Sequence, residues 1–284
     1  MDASLLRMFC DLAYQKAGIS LGAEKGPLVT ARLGKRLRAL GLENERQYLE
    51  LLRRDEGELV NFLDAISTNF TCFFREEAHF QRLTEHLTEL LAGGQRKFRF
   101  WSAASSTGEE PYTMAIVLEE AFAQVAVDYR ILATDISTRV LATAKEGAYG
   151  EAQLARVPRH LRHKYFARGA NGSDGAERHQ VLPALRDRIT FARLNLSAPP
   201  FPMSGPFDVV FCRNVMIYFD QPVRQGLIAE IERVLVPGGL LMIGHAETLN
   251  GITTGLRPIL PSMYRKPLPG EKPRTTGRPT AWRS

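Results

Sequence analysis

The residues of this 284-residue chain whose types and spacing suggest chemistry lie in FWSAASSTGEEPY, residues 100–112. The apolar–charged alternation of RKFR (96–99) precedes this stretch and the helical pattern TMAIVLEEAF (113–122) follows it. It therefore reads as a strand, a loop of tiny residues and a helix start, the place where α/β proteins hold a cofactor. A dinucleotide site would need GxGxxG, so that a pyrophosphate can reach bare N–H groups at the helix N-terminus. Here only Gly108 is present, followed by Glu109 and Glu110. Two carboxylates at the positive pole of a helix repel phosphate.

A cofactor with an amino group and a sulfonium but no phosphate suits such a loop, and S-adenosylmethionine has both. Ala103, Ala104, Ser105, Ser106 and Thr107 permit close approach. The next strand ends in ATD, placing Asp135 where an acid accepts hydrogen bonds from ribose hydroxyls. The third ends in LNL, offering the amide of Asn195 to an adenine-like ring. Each residue also has a structural reading: first-turn acids for the glutamates, an N-cap before STRVLATAK for Asp135, a turn for Asn195.

The elements that position these residues follow from periodicity. Residues 1–90 are helical in pattern, with PLVTARLGKRLRALG (27–41) the clearest case: Val29, Leu33, Leu37 and Leu40 form one stripe, with Pro27 at the start and Gly41 at the end. Arg32, Lys35, Arg36 and Arg38 occupy the remaining circumference and predict a cationic outer face. After Gly93-Gly94, strands alternate with helices from residue 91 to 267: KFRFWS, DYRILATD, RITFARLN, FDVVFCRN, GLLMIGHAE and a short SMYRKP. This is the pattern of an α/β, doubly wound, mainly parallel sheet. EAQLARVPRHLRHKYF (151–166) reads as a helix, and NGSDG (171–175) as the turn of a small antiparallel β-subdomain inserted at about 160–188. Residues 268–284 form a basic tail without a core-forming pattern.

Composition narrows the class. Hydrophobic residues make up 44% and charged residues 24%, ordinary for a globular protein. No apolar run approaches the roughly 18 residues a membrane span requires, and acids come too early for a secretory leader, so a cytoplasmic protein is expected. Cys10, Cys72 and Cys212 are scattered, with no CxxC or Cys/His pair, which supports neither disulfides nor a metal site and leaves them as packed thiols. The net charge of +6 resides mostly in residues 25–38 and the tail; residues 25–38 contain no aromatic for base stacking, which argues for a protein partner over nucleic acid.

STNFTCFFREEAHF (67–80) and FDVVFCRNVMIYFD (207–220), together with WSAASSTGEEPY and LVPGGLLMIGHAE, closely resemble the chemotaxis receptor glutamate O-methyltransferases, the CheR-type family. The resemblance runs in order from residue 1 to about 267. It implies a class I methyltransferase domain with an N-terminal helical domain that contacts receptors and an inserted β-subdomain. It further implies that S-adenosylmethionine is held by Asn69, Thr71, Arg75, Glu110, Asp135, Asn195, Leu196, Arg213 and Asn214, with Tyr218 beside the methyl-transfer site and S-adenosylhomocysteine as product. The implied acceptors are glutamates on the cytoplasmic methylation helices of chemoreceptors, which Arg32, Lys35, Arg36 and Arg38 would hold. Some members dock a receptor C-terminal peptide on the β-subdomain. A glutamate carboxylate, with a reference pKa of about 4.3, is already a nucleophile at neutral pH, so no general base and no metal is expected and a monomer suffices. Arg75 then fixes a carboxylate by its planar fork and Tyr218 orients the acceptor. N-methylation by the same fold, or a donor-sensing module without turnover, are the alternatives.

Overall fold

The structure, a computed structural model, describes residues 2–22, 25–67, 70–169 and 175–271. Four helices open the chain: α1 (Ala3–Ala17), α2 (Gly26–Leu40), α3 (Glu45–Arg54) and α4 (Glu56–Ile66). Asp2, Asn44 and Asp55 start α1, α3 and α4 by accepting a backbone N–H with the side chain, which satisfies one of the donors a helix start leaves unpaired. Pro27 lies in the first turn of α2 and Gly41 closes it in the left-handed conformation, as the pattern predicts. Phe9, Val29, Leu33, Tyr48 and Phe62 fill a core of their own among these helices. The stripe of α2 fades along its length: Val29 and Leu33 are buried, whereas Leu40 is exposed.

The chain continues through α5 (Ala78–Ala92), β1 (Lys97–Ser102), α6 (Glu109–Ala121), β2 (Asp128–Asp135), α7 (Thr138–Glu146) and β3 (Ala148–Gly150). Then come α8 (Arg159–Tyr165), β4 (Phe166–Arg168), β5 (Arg178–Val181), α9 (Pro183–Arg186), β6 (Ile189–Arg193) and β7 (Phe207–Cys212). The last elements are α10 (Gln221–Val234), β8 (Leu235–Ile243), β9 (Arg257–Leu260) and β10 (Met263–Arg265). The large sheet runs β6-β2-β1-β7-β8-β10-β9, parallel from β6 to β8 and antiparallel thereafter.

Period-two alternation assigns its faces. Phe98, Phe100, Val209, Phe211, Leu240 and Met242 pack with α5 and α6 on one side. Trp101, Val210, Cys212, Leu241 and Ile243 pack with α10 on the other. Because Phe80, Leu83 and Leu87 of α5 join the sheet's core while the helical core ends at Ile66, the two cores divide before α5.

Three local readings are corrected. Residues 151–166 do not form one helix: Pro158, which would lack the N–H and clash inside a helix, separates a 3-10 turn at Gln153–Arg156 from α8. The small antiparallel sheet, β3-β5-β4, begins at Ala148, earlier than expected, because β3 is a three-residue strand too short to show periodicity. The four-residue β9 was likewise missed. Residues Asn171–Asp174 of the expected hairpin turn, and the tail from Lys272, lie outside the described residues. The tail's first turn is anchored, since Glu271 pairs with Arg257 and Arg265.

Candidate active site

A solvent-connected cleft lies beyond the carboxyl ends of the parallel strands. Ala103, Ala104 and Ser106 follow β1 into it, Asp135 and Ile136 end β2, Leu194, Asn195 and Leu196 follow β6, and Arg213, Asn214 and Val215 follow β7. The opposite wall comes from Ala17 and Ile19 after α1, Leu63 and Ser67 of the α4 end, and Phe70, Thr71, Cys72 and Arg75. Tyr218 and Phe219 complete it. The site thus lies where the helical unit meets the sheet. The seam is closed by Ser20 N–H donating to Tyr218 O at 2.7 Å and Tyr14 Oη to Asp220 at 2.8 Å.

Of the two glutamates at the start of α6, only one serves the cleft. Consecutive helical residues diverge by about 100°, so Glu109 turns inward to Thr107 and Gln153 while Glu110 lines the wall. Glu110 accepts from Ser102 Oγ at 2.7 Å and from Arg213 Nη1 at 2.9 Å. Burial raises its pKa despite Arg213. The glycine of the loop has a packing role: Gly108 has φ +99°, and a Cβ there would meet Tyr149 Oη at 2.7 Å and Ala144 Cβ at 2.9 Å.

Asp135 does not cap α7; Ser137 does, accepting from Val140 N–H. Instead Asp135 accepts from the N–H groups of Ser106 and Ser137 at 2.9 and 3.0 Å, which ties the β1 loop to the β2 end. Burial raises its pKa, those N–H bonds oppose the rise, and nearby Asp64 adds to it. Burial of both wall acids is thus only partly offset by their partners, a setting in which a cationic ligand would favour their ionised forms.

Arg213, with its side chain 1% exposed, is clamped between Glu110 and Glu76, whose Oε2 lies 3.1 Å from Nη2. Burial pushes the Glu76 pKa up, but Arg213 and the His245 N–H outweigh it and hold the group below its usual value. Two carboxylates and the Arg75 carbonyl thus occupy the Arg213 guanidinium. Among the described residues, Glu76, His79 and His245 place ligand atoms within 4.8 Å of one another. The cation at that carboxylate is already the guanidinium. His79 is fully buried, with neither ring nitrogen hydrogen-bonded, and burial followed by the Arg213 charge lowers its pKa to about 4. Its ring makes edge contacts with Phe211 and His245, so it serves as a neutral aromatic.

Thr71, Arg75, Asn195, Leu196, Asn214 and Tyr218 all line the same cleft, whereas Asn69 lies outside the described residues. Arg75 donates to Phe70 O at 2.8 Å and stands over the Phe70 ring. Asn195 donates to Lys16 O at 2.9 Å and its Oδ1 accepts from Ser197, so its amide fastens α1 to the β6 end while its flank forms wall. Lys25 Nζ stands 5.7 Å from the Tyr218 ring centroid. Sequence reasoning missed Glu76, whose partner Arg213 is 137 residues away, and the cleft-facing backbone of Ser106. Cys72 is no packed core thiol: it is half-buried in the cleft wall, with Arg156 Nη1 at 3.3 Å from its sulfur.

The cationic face of α2 divides in two. Arg32 donates to Ala65 O and Ser67 O, closing the carboxyl end of α4. Arg36 forms a two-pronged pair with Glu58, at 3.0 and 2.6 Å, which Tyr48 and Asn61 complete. Spaced by four, these arginines share the flank that packs on α4. Lys35 and Arg38 remain exposed. The predicted uniform outer face is corrected accordingly.

The mainly parallel sheet with acids in a cleft at its switch point is the arrangement in which α/β proteins hold a ligand, and the family match makes the class that of S-adenosylmethionine-dependent methyltransferases. The model described as CheR methyltransferase, SAM binding domain, matches residues 69–262, and the one for the CheR methyltransferase all-alpha domain matches residues 4–67; the chain belongs to the CheR methyltransferase family. Among its relatives, the chemotaxis protein methyltransferase of Salmonella typhimurium is 39% identical over 248 residues, 87% of this chain and 84% of that one. The Escherichia coli protein of the same name is 40% identical over 246 residues, 86% and 84% of the two chains. That of Borreliella burgdorferi is 38% identical over 264 residues, 90% and 91%.

Proposed function

We propose that this protein methylates glutamate side-chain carboxylates on the cytoplasmic helices of chemoreceptors, with S-adenosylmethionine as donor. The observation that carries the donor assignment is the pair of largely buried carboxylates in the cleft wall, Asp135 at the β2 end and Glu110 held by Arg213. The acceptor assignment rests on relatives named chemotaxis protein methyltransferase that match nearly the whole chain. S-Adenosylmethionine supplies a sulfonium methyl open to in-line displacement.

In this reading Glu110 faces the donor's ammonium, Asp135 accepts from its ribose, and Thr71, Leu196 and Asn214 complete the wall with Asn69 and Asn195. Arg75 uses its remaining N–H groups to hold a carboxylate in the plane of its fork. Tyr218 donates to the incoming carboxylate and directs an oxygen lone pair into the cleft. No residue has to move a proton, because the acceptor is ionised at neutral pH. The protein's work is alignment and exclusion of water. Lys35 and Arg38 steer the acidic helix; Arg32 and Arg36 support α2 from beneath. Among the described residues β4 is an edge strand of the small sheet, an edge that suits strand addition by a receptor C-terminal peptide. No helix of the described residues is long and apolar enough to cross a membrane, and we place the reaction in the cytoplasm, with a monomer as the working unit.

The test is incubation with methyl-labelled donor and a receptor cytoplasmic fragment, followed by mild alkali. A glutamyl ester releases labelled methanol. Label retained on the receptor indicates N-methylation, and donor binding without incorporation indicates a sensing module; either result rejects the proposal.

A further inference from the structure

Glu247 lies after β8, 9% exposed, and the sequence marks it only as the end of GGLLMIGHAE. Its Oε2 accepts from Asn214 N–H at 2.9 Å and Gly244 N–H at 2.6 Å, and its Oε1 accepts from Met216 N–H at 2.8 Å. One carboxylate therefore joins the turn that leaves β7 to the turn that leaves β8. The first of these turns carries Arg213, Asn214, Val215 and Tyr218, all in the cleft wall.

The turn has reason to need a tether. Asn214 has φ +59°, a left-handed conformation that a non-glycine residue adopts at a cost. Met216 starts the 3-10 turn Met216–Tyr218, whose first N–H no upstream side chain caps. Glu247 supplies acceptors to both. Gly244 makes the close approach possible: a Cβ there would lie 2.4 Å from Asn214 Nδ2 and 2.8 Å from Glu247 Oε2.

We infer that Glu247 is the positioning residue of methyl transfer: its carboxylate fixes the Asn214–Met216 backbone and thereby the direction in which Tyr218 enters the cleft. It touches neither donor nor acceptor. The inference rests on the proposed reaction for its consequence in turnover, but not for the tether itself.

Glu247→Gln keeps the size of the side chain but turns an NH₂ toward an N–H donor, so at least one of the three bonds is lost. Asp135 and Asn195 stand at other strand ends and Glu110 in the first turn of α6, all outside the tethered turn. In the folded variant we expect kcat to fall tenfold or more, and by a larger factor than the S-adenosylhomocysteine dissociation constant rises, because Asn214 is one of several donor-wall residues whereas Tyr218 alone directs the acceptor. The amide resonance of Met216, or those of Asn214 and Gly244, should move upfield, according to which side the amide nitrogen takes. Near-normal kcat, or loss confined to melting temperature with turnover per folded molecule intact, overturns the inference. If the variant does not fold, the wild type decides: these three amides should be protected from hydrogen exchange, and solvent-like exchange overturns the tether. A wild-type protein that yields no labelled methanol rejects the proposed reaction alone, because the amide measurements need no turnover.

Discussion

Arg75 is the side chain on which the proposed chemistry makes its sharpest demand. Its side chain donates to Phe70 O, and the carbonyl that accepts from Arg213 survives truncation, so Arg75→Ala should change stability by no more than about 0.5 kcal/mol. Loss of a hydrogen-bonded charge on a carboxylate is worth about 1.5–3 kcal/mol, and kcat/KM should fall by roughly 10- to 100-fold. Parallel melting curves and steady-state kinetics check both halves. The acids of the cleft predict a pH dependence. Burial raises the pKa of Asp135 and of Glu110, so each takes up a proton at a higher pH than an exposed carboxyl. A donor that binds the ionised forms must expel that proton, so affinity falls as pH is lowered. Titration calorimetry with S-adenosylhomocysteine between pH 8 and pH 5, a window of about three units, should show weakening on the acid side with a slope of up to about one log unit per pH unit for each group. A flat profile contradicts the assignment.

Helix α2 shows how one amphipathic element can carry charges of two kinds. Arg36 completes Glu58, which is 5% exposed, and burial of that carboxylate is offset by Arg36, Tyr48 and Asn61, whose hydrogen bonds hold its pKa low. Arg36→Ala leaves the carboxylate without its ion partner and should cost about 2 kcal/mol in denaturant unfolding. Lys35→Glu with Arg38→Glu should leave stability within about 0.5 kcal/mol. That pair should instead raise the receptor KM at low salt, an effect that fades as the Debye length shrinks below about 10 Å. A stability loss in the double variant, or none in Arg36→Ala, would reverse the division of roles.

The molecule places its cleft on the seam between two cores, so donor affinity and the junction are linked. Asp64, on α4, accepts from Ser137 Oγ at 2.9 Å and Arg139 Nε at 3.0 Å across that seam, and its charge also raises the pKa of Asp135. Asp64→Asn removes the ion pair with an Arg139 that is 67% exposed, so after allowance for solvent screening the stability loss should be about 1 kcal/mol. The same change eases ionisation of Asp135, and the acid limb of donor binding should shift to lower pH. Calorimetry of the variant across the same pH range reads both effects; an unshifted limb would disconnect Asp64 from the cleft.

Periodicity and turn chemistry made most elements legible: β1 and β2 match KFRFWS and DYRILATD end to end, and Pro27 and Gly41 bracket α2. That Glu110 and Asp135 meet in one cleft was equally readable, because strand ends in a parallel sheet converge by rule and the residue types there are fixed. Short strands such as β3 were not, since three residues hold no measurable period. Nor could local pattern show that Glu109 and Glu110 part company, that Arg32 and Arg36 turn inward while Lys35 and Arg38 stay out, or that Glu247 reaches the Asn214 turn 33 residues earlier. The chain dictates which groups exist and which elements carry them through interactions between near neighbours. Which group compensates which charge depends on desolvation and partners separated by tens to more than a hundred residues, and those are settled when the two cores close on one cleft.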